Sequence, residues 1–162
     1  MNSKRMLFRQ YSEGDFDDYL KLVSNAEVMK MITGYALSKE EAKDRFDKML
    51  KINLESPEIG HFKVICAKDE AFMGHSKLVL TAEGEAEIGY VLMPQYWGKG
   101  FGNEIAETLT NRGREVEKIS TLIAIIDPVN IASQKILSNQ GFQFDYNGEY
   151  FGLPATYFRL KL

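Results

Sequence analysis

Apolar and polar positions along this chain follow two different periods, and the switches between them outline its elements. Residues 6–11, Met-Leu-Phe-Arg-Gln-Tyr, read as a first strand. Over 16–23 the apolar residues Phe16, Tyr19, Leu20, Leu22 and Val23 recur at helical spacing, with Ser12 or Asp15 as the cap. A short second helix is expected over 26–32, ending near Gly34. Ser38 opens a stronger one. Ser38-Lys39-Glu40-Glu41 is a capping box, and Ala42, Phe46, Met49, Leu50 and Asn53 follow one face until Pro57 marks the exit. The period then falls to two. Residues 61–67, 71–80 and 85–93 read as strands joined by turns at 68–70 and 81–84, an antiparallel meander, with Gly74 expected at a bulge. In the third strand Ala86, Ile88, Tyr90 and Leu92 alternate with Glu87, Gly89, Val91 and Met93.

Helical spacing returns after residues 98–102, with Ile105, Ala106, Leu109, Arg112, Gly113 and Val116 on one broad face. Residues 121–126 are continuously apolar, as in a strand buried on both faces, and Asp127-Pro128 stops them. A short helix over 130–139 has Gly141 in its C-terminal cap position. Residues 142–146 and 155–160 read as two final strands, with turns at Asn147-Gly148 and Gly152 between them. The pattern predicts an α/β (α+β) fold in a single domain over 1–162. Its sheet is mixed and mostly antiparallel, of about six to seven strands, and is flanked by helices.

Composition narrows the classes. A chain of 162 residues, 44% hydrophobic and 27% charged, suits one domain with a real core. A net charge of −3 argues against a nucleic-acid partner, while leaving room for a local site that grips phosphates. Cys66 is the sole cysteine and cannot form an intramolecular disulfide; it reads as a small buried hydrophobe in a reducing compartment. Residues 1–11 hold Lys4, Arg5 and Arg9 and no apolar stretch of a secretory signal, and no run is long enough to span a membrane. A cytoplasmic protein with no membrane partner is expected. His61 and His75 are the only imidazoles, and neither CxxC nor HExxH occurs, so no metal is expected. The absence of GxSxG argues against a serine hydrolase of the nucleophile-elbow type.

The chemistry concentrates in Pro94-Gln95-Tyr96-Trp97-Gly98-Lys99-Gly100-Phe101-Gly102, between a strand and a helix. Glycines let backbone N–H groups approach a ligand, and a helix start presents unpaired N–H groups with a partial positive charge. Together they suit a pyrophosphate, with Lys99 adding charge and Gly102 keeping the path clear. Neither GxxxxGK[ST] nor GxGxxG occurs, which argues against a Walker loop and a nicotinamide-binding fold.

Two flanking segments complete a pattern: Glu87-Ile88-Gly89-Tyr90-Val91-Leu92 before the loop, and Asn130-Ile131-Ala132-Ser133-Gln134-Lys135-Ile136-Leu137 leading to Gly141-Phe142 after it. With these the chain resembles the GCN5-related N-acetyltransferases (GNAT), and most of all their ribosomal-protein N-terminal acetylase branch. The resemblance implies acetyl-CoA as cofactor and a small-molecule or peptide amine as acceptor. It implies a splayed strand pair whose slot takes the pantetheine arm against the backbone of Val91, Leu92 and Met93. The pyrophosphate would lie on Gly98, Lys99, Gly100, Phe101, Gly102 and Asn103, with Trp97 beside it. Asn130 would contact the arm as well as cap a helix, and Ser133, one turn on, would join it. A homodimer is compatible with the resemblance.

Acetyl transfer needs a neutral amine, so something must take a proton from an ammonium of pKa near ~10. Glu87, on the strand leading to the slot, is the candidate base, directly or through water. Backbone N–H near Val91 or Leu92 would serve the oxyanion. The sequence departs from the family in two places. Residues 121–126 lack the glutamate many members carry, and Leu137 stands where many have a tyrosine acid. Tyr146, Tyr150 and Tyr157 are the remaining candidates for that acid. The alternative function is a CoA-binding regulatory module of the same fold with weak or no catalysis. The acceptor side is expected between residues 16–53 and 147–154, and Asp15, Asp17, Asp18, Glu40 and Glu41 are either a cation attractor or a solvated face.

Overall fold

A computed structural model describes residues 1–162. In chain order its elements are β1 (Met6–Gln10), α1 (Phe16–Val23), α2 (Ala26–Met29), α3 (Lys39–Glu55), β2 (Gly60–Cys66), β3 (Phe72–Ala82), β4 (Gly84–Leu92), α4 (Phe101–Glu115), β5 (Ile119–Ile126), α5 (Ile131–Asn139), β6 (Gln143–Tyr150) and β7 (Leu153–Lys161). All seven strands form one sheet in the order β1-β2-β3-β4-β5-β7-β6. Every neighbouring pair is antiparallel except β4 and β5, which run parallel, as a strand–helix–strand crossover through α4 requires.

The expected elements are present, with local corrections. The helix expected over 26–32 is a single turn, α2; Asn25 caps it through Oδ1, and the chain then leaves the helix in turns to Gly34. Asn147-Gly148 is not a turn. Asn147 accepts a hydrogen bond from Thr156 Oγ1 of β7 at 2.9 Å, and Asn147 and Gly148 lie within β6, so β6 and β7 are longer than expected. The reversal is at Phe151-Gly152, where both residues have positive φ (50° and 77°), as a tight two-residue hairpin demands. Within residues 121–126, Leu122, Ile123 and Ala124 are buried, but Thr121, Ile125 and Ile126 are partly open.

Strand alternation divides the interior in two. On one side Met6, Val64, Leu78, Ala86, Ile88 and Leu122 pack against Ile105 and Leu109 of α4. On the other, Tyr11 and Met93 pack with Tyr19, Leu22, Phe46 and Met49 from α1 and α3. Lys63, largely buried, pairs with Asp15 (2.8 Å) and Asp18 (2.6 Å), so these two carboxylates anchor α1 to β2. Glu41 closes the capping box with Ser38, and Asp17 and Glu40 face solvent. The acidic residues of α1 and α3 are therefore structural or solvated.

Candidate active site

The parallel pair β4–β5 comes apart part-way along. It is paired from Gly84 opposite Ile119 to Glu87 opposite Ile123, and no pairing continues to Ile88–Leu92 or Ala124–Ile126. Each strand keeps its other neighbour: β4 stays on β3 out to Leu92 opposite Gly74, and β5 stays on β7 out to Ile126 opposite Thr156. The result is a slot with strand backbone on both walls. Gly74 helps to open it. A Cβ there would sit 2.1 Å from the Val91 carbonyl oxygen, so only glycine lets the end of β4 lie this close to β3. The ladder irregularity lies next to it, where Val64 faces Gly74 but Ile65 faces Phe72.

Backbone direction along β4 follows from one bond. Met93 N–H donates to the Met73 carbonyl at 2.8 Å, so Met93 points at β3. Alternation then turns Val91 toward β3 as well, and turns Leu92 and Tyr90 toward the slot. The Leu92 carbonyl accepts from the Trp97 indole Nε1–H at 2.8 Å. Trp97 thus fixes the exit of β4 while its ring stays 43% exposed. Of Val91, Leu92 and Met93, only Leu92 turns its backbone to the slot, as Tyr90 does.

Beyond β4, Pro94–Tyr96 makes a single 3-10 turn and the glycine loop follows. Gly98 and Gly100 have φ of 69° and 78°, which explains both glycines. The N–H groups of Gly98 through Asn103 have no acceptor within the protein; Glu104 is the first to find one, the Gly100 carbonyl at 3.3 Å. An unpartnered row of donors at the start of a 15-residue helix is an anion site. Lys99 does not point into it, because Nζ donates to the Gln95 carbonyl at 2.7 Å. Gly102 has a packing role. A Cβ there would meet the Tyr90 hydroxyl at 2.9 Å and Ile136 Cδ1 at 3.1 Å, so this glycine lets α4 pack against Tyr90 and α5.

Sequence reasoning missed two residues here. Arg5 lies over the Phe101 ring at 4.1 Å, donates from Nε to Glu104 at 2.7 Å and from Nη1 to the Lys99 carbonyl at 3.1 Å, tying the loop to β1. Nothing in its sequence neighbourhood announces that contact. Tyr90 stood in the quoted motif without a role. Its phenol is pushed up by burial, with the Ser133 side chain hydrogen-bonding it and working the other way. Asn130 caps α5, Oδ1 accepting from Ser133 N–H at 3.0 Å, and Nδ2 has no protein acceptor.

The slot opens onto a cavity of about 360 Å³ lined by Glu87, Gly89 and Val91 from β4 and His75 and Lys77 from β3. Its walls come from α1–α3 and from residues 150–155 of the β6–β7 hairpin. Glu87 is 7% exposed, and its Oε1 pairs with Lys77 Nζ at 2.5 Å. His61 and His75 stack beside them, Nδ1 to Nε2 at 3.4 Å. Burial depresses both imidazoles, His61 to about 3 with help from Lys77, so both are neutral at pH 7. Of the tyrosine candidates only Tyr150 lines the cavity. Tyr146 stacks on Tyr157 at 4.3 Å, and the Tyr157 hydroxyl donates to the Glu149 carbonyl. Leu137 is buried in the α4-side core. No helix is long and apolar enough to cross a membrane.

This arrangement has counterparts. The model of the acetyltransferase (GNAT) domain matches residues 5–143. The uncharacterized N-acetyltransferase YnaD of Bacillus subtilis (strain 168) is 28% identical over 144 residues, covering 88% of this chain and 82% of that protein. A GNAT-family acetyltransferase from Bacillus anthracis superposes with a TM-score of 0.83 at 21% identity, over 99% of this chain and 97% of that one. The spermidine N-acetyltransferase of Vibrio cholerae, solved with CoA and spermine, superposes with a TM-score of 0.79 at 16% identity, over 97% and 95%. The two structures share the fold; the domain match covers most of the chain, and the protein belongs to the GNAT acetyltransferase family.

Proposed function

We propose that this protein transfers an acetyl group from acetyl-CoA to a primary amine, a protein N-terminus or a small molecule. The observation that carries this reading is the splay of β4 from β5, leading from the unpartnered N–H row of Gly98–Asn103 to the cavity around Glu87. The residues present fit the cofactor. The N–H row and helix start suit a pyrophosphate. The slot-facing backbone of Tyr90 and Leu92 suits an amide-bearing arm, as an added strand would be held. Asn130, at the start of α5 just after β5, has a spare Nδ2 as a further donor.

When bound, acetyl-CoA supplies a thioester that an amine can displace with release of the thiol. The chain's own part is to hold and deprotonate the amine. Glu87 is buried at the junction of slot and cavity, with Oε1 on Lys77 and Oε2 left to receive a proton, directly or through one water. Lys77 orients the carboxylate through that ion pair. The slot-facing N–H groups of β4 are the donors available to a developing oxyanion. The thiol, with an ordinary pKa near ~8.5, leaves without a dedicated acid. Tyr150 is the cavity's own phenol should one act.

The test is a calorimetric titration with acetyl-CoA, with NAD as control, followed by amine-dependent thiol release. Saturable binding of acetyl-CoA alone and thiol release that requires an amine support the reading. No binding by folded protein sinks it. Binding without turnover on any amine favours a CoA-binding regulatory module.

A further inference from the structure

The charged residues lining the cavity are Arg45, Lys48, Lys77, Glu87 and Asp127. Most already have partners. Lys77 is neutralised by Glu87, Lys48 reaches Asp44 at 2.7 Å, and Asp127 Oδ1 accepts from Val129 N–H at 2.9 Å. The two histidines are neutral. Arg45 and Asp127 make no ion pair, and Arg45 is the one cation of the lining left without one. Glu41, one helical turn earlier, is taken by Ser38 N–H (2.8 Å) and by the Tyr35 hydroxyl (3.0 Å). The Arg45 guanidinium instead lies 5.8 Å from the centre of the Phe151 ring, across the cavity mouth from its own helix. The remaining wall is apolar and soft: Met29, Met31, Met49, Ile52 and Leu153.

Resting on the acetyltransferase reading above, we infer that the acceptor is a small amine with an apolar body and a carboxylate, in the manner of an apolar amino acid, whose carboxylate is held by Arg45. Three observations combine in this. An unpaired guanidinium at a mostly apolar cavity is a ready partner for a planar anion. A polyamine would bring several positive charges past Arg45, and of the two carboxylates in the lining Glu87 is already bound to Lys77, which leaves Asp127 alone to draw them. A volume of about 360 Å³ is at the small end for ligand sites and suits one amino-acid-sized body. The reactive nitrogen then faces Glu87 and the slot, the apolar body lies against the methionines, and the carboxylate points toward Phe151 and Arg45.

The test compares thiol release from acetyl-CoA with L-methionine and L-phenylalanine, with their amides, and with spermidine. The acids are expected to be acetylated at least tenfold more efficiently, in kcat/KM, than the amides, which lack only the anion, and spermidine is expected to be a poor acceptor. Arg45→Gln should raise KM for the acids about tenfold and so abolish the preference for the acids over the amides. Independently of any variant, 3-phenylpropionate, which has the carboxylate and the apolar body without the amine, should inhibit competitively against the amine. Preference for spermidine, equal use of acids and amides, an Arg45→Gln effect equal on both, or no acetylation of any of them by protein that binds acetyl-CoA overturns the inference. Failure to bind acetyl-CoA at all overturns the cofactor reading on which it rests.

Discussion

The two halves of the site are built from different material. On the cofactor side the groups facing the opening are main chain: the unpartnered N–H row of Gly98–Asn103 and the slot-facing backbone of Tyr90 and Leu92. On the acceptor side they are side chains: Glu87 and Lys77, the stacked histidines, Arg45, and the methionines of α2 and α3. A main-chain site tolerates sequence change as long as the backbone keeps its course, and it is damaged by adding atoms. A side-chain site is damaged by removing them, and each residue can be exchanged to suit another ligand. The difference teaches where substrate choice resides in this protein. The cofactor half recognises a fixed ligand by geometry, and the acceptor half holds whatever distinguishes one amine from another.

Four substitutions or conditions break or sharpen that contrast, and the largest effect is expected on the side-chain half. Glu87→Gln keeps the shape but cannot take a proton; turnover should fall about 100-fold while acetyl-CoA affinity stays within about twofold. Steady-state kinetics beside calorimetry checks this, and unchanged turnover removes Glu87 as the base. Next, on the main-chain half, Gly102→Val adds atoms where Tyr90 and Ile136 already meet the helix. It should cost about 2 kcal/mol of stability in a denaturant melt, the range for overpacking. Weaker acetyl-CoA binding in a variant of undiminished stability would instead put Gly102 on the anion path.

Third is acid. His61 has its folded pKa lowered to about 3, and His75 is lowered well below its ordinary value. Between about pH 6.5 and 3 the unfolded chain therefore binds protons the folded one refuses, and stability falls as pH falls. The slope that His61 adds should approach about 1.4 kcal/mol per pH unit through that window, and His75 adds to it in the same direction. His75→Gln, melted across the same range, should have a shallower slope; an unaltered slope would show that His75 does not titrate in this way. Smallest is Trp97→Phe, which removes the hydrogen bond to the Leu92 carbonyl and keeps a ring, for a loss of about 1 kcal/mol in the melt.

The sequence announced the main-chain half more fully than the side-chain half, and for a physical reason. Glycines with positive φ, a helix start and an asparagine cap are local devices, so Gly98, Gly100 and Asn130 could be read in place from their neighbours. Even there the reading stopped at what depends on distant strands. Val91 and Met93 turn their backbone to β3 because of the register set through Met73. Gly102 is required by Tyr90 and Ile136, residues it meets only after folding. Lys99 looked like a phosphate ligand by adjacency, and its ammonium is bound to Gln95. Asn147-Gly148 looked like a turn by composition, but the turn went to Phe151-Gly152, where the register with β7 closes.

Periodicity, caps and motif order thus determined the elements, their sequence along the chain, and the family whose cofactor the loop suits. The tertiary structure decided what lies across from what. Lys77 meets Glu87 because β3 and β4 pair in one register, Arg5 reaches the loop from just before the first strand, and Arg45 faces Phe151 across the cavity mouth, more than a hundred residues away in the chain. Local backbone preference is encoded within a few residues of each position, whereas a cavity is enclosed by segments that nothing short of the packed sheet and helices brings together.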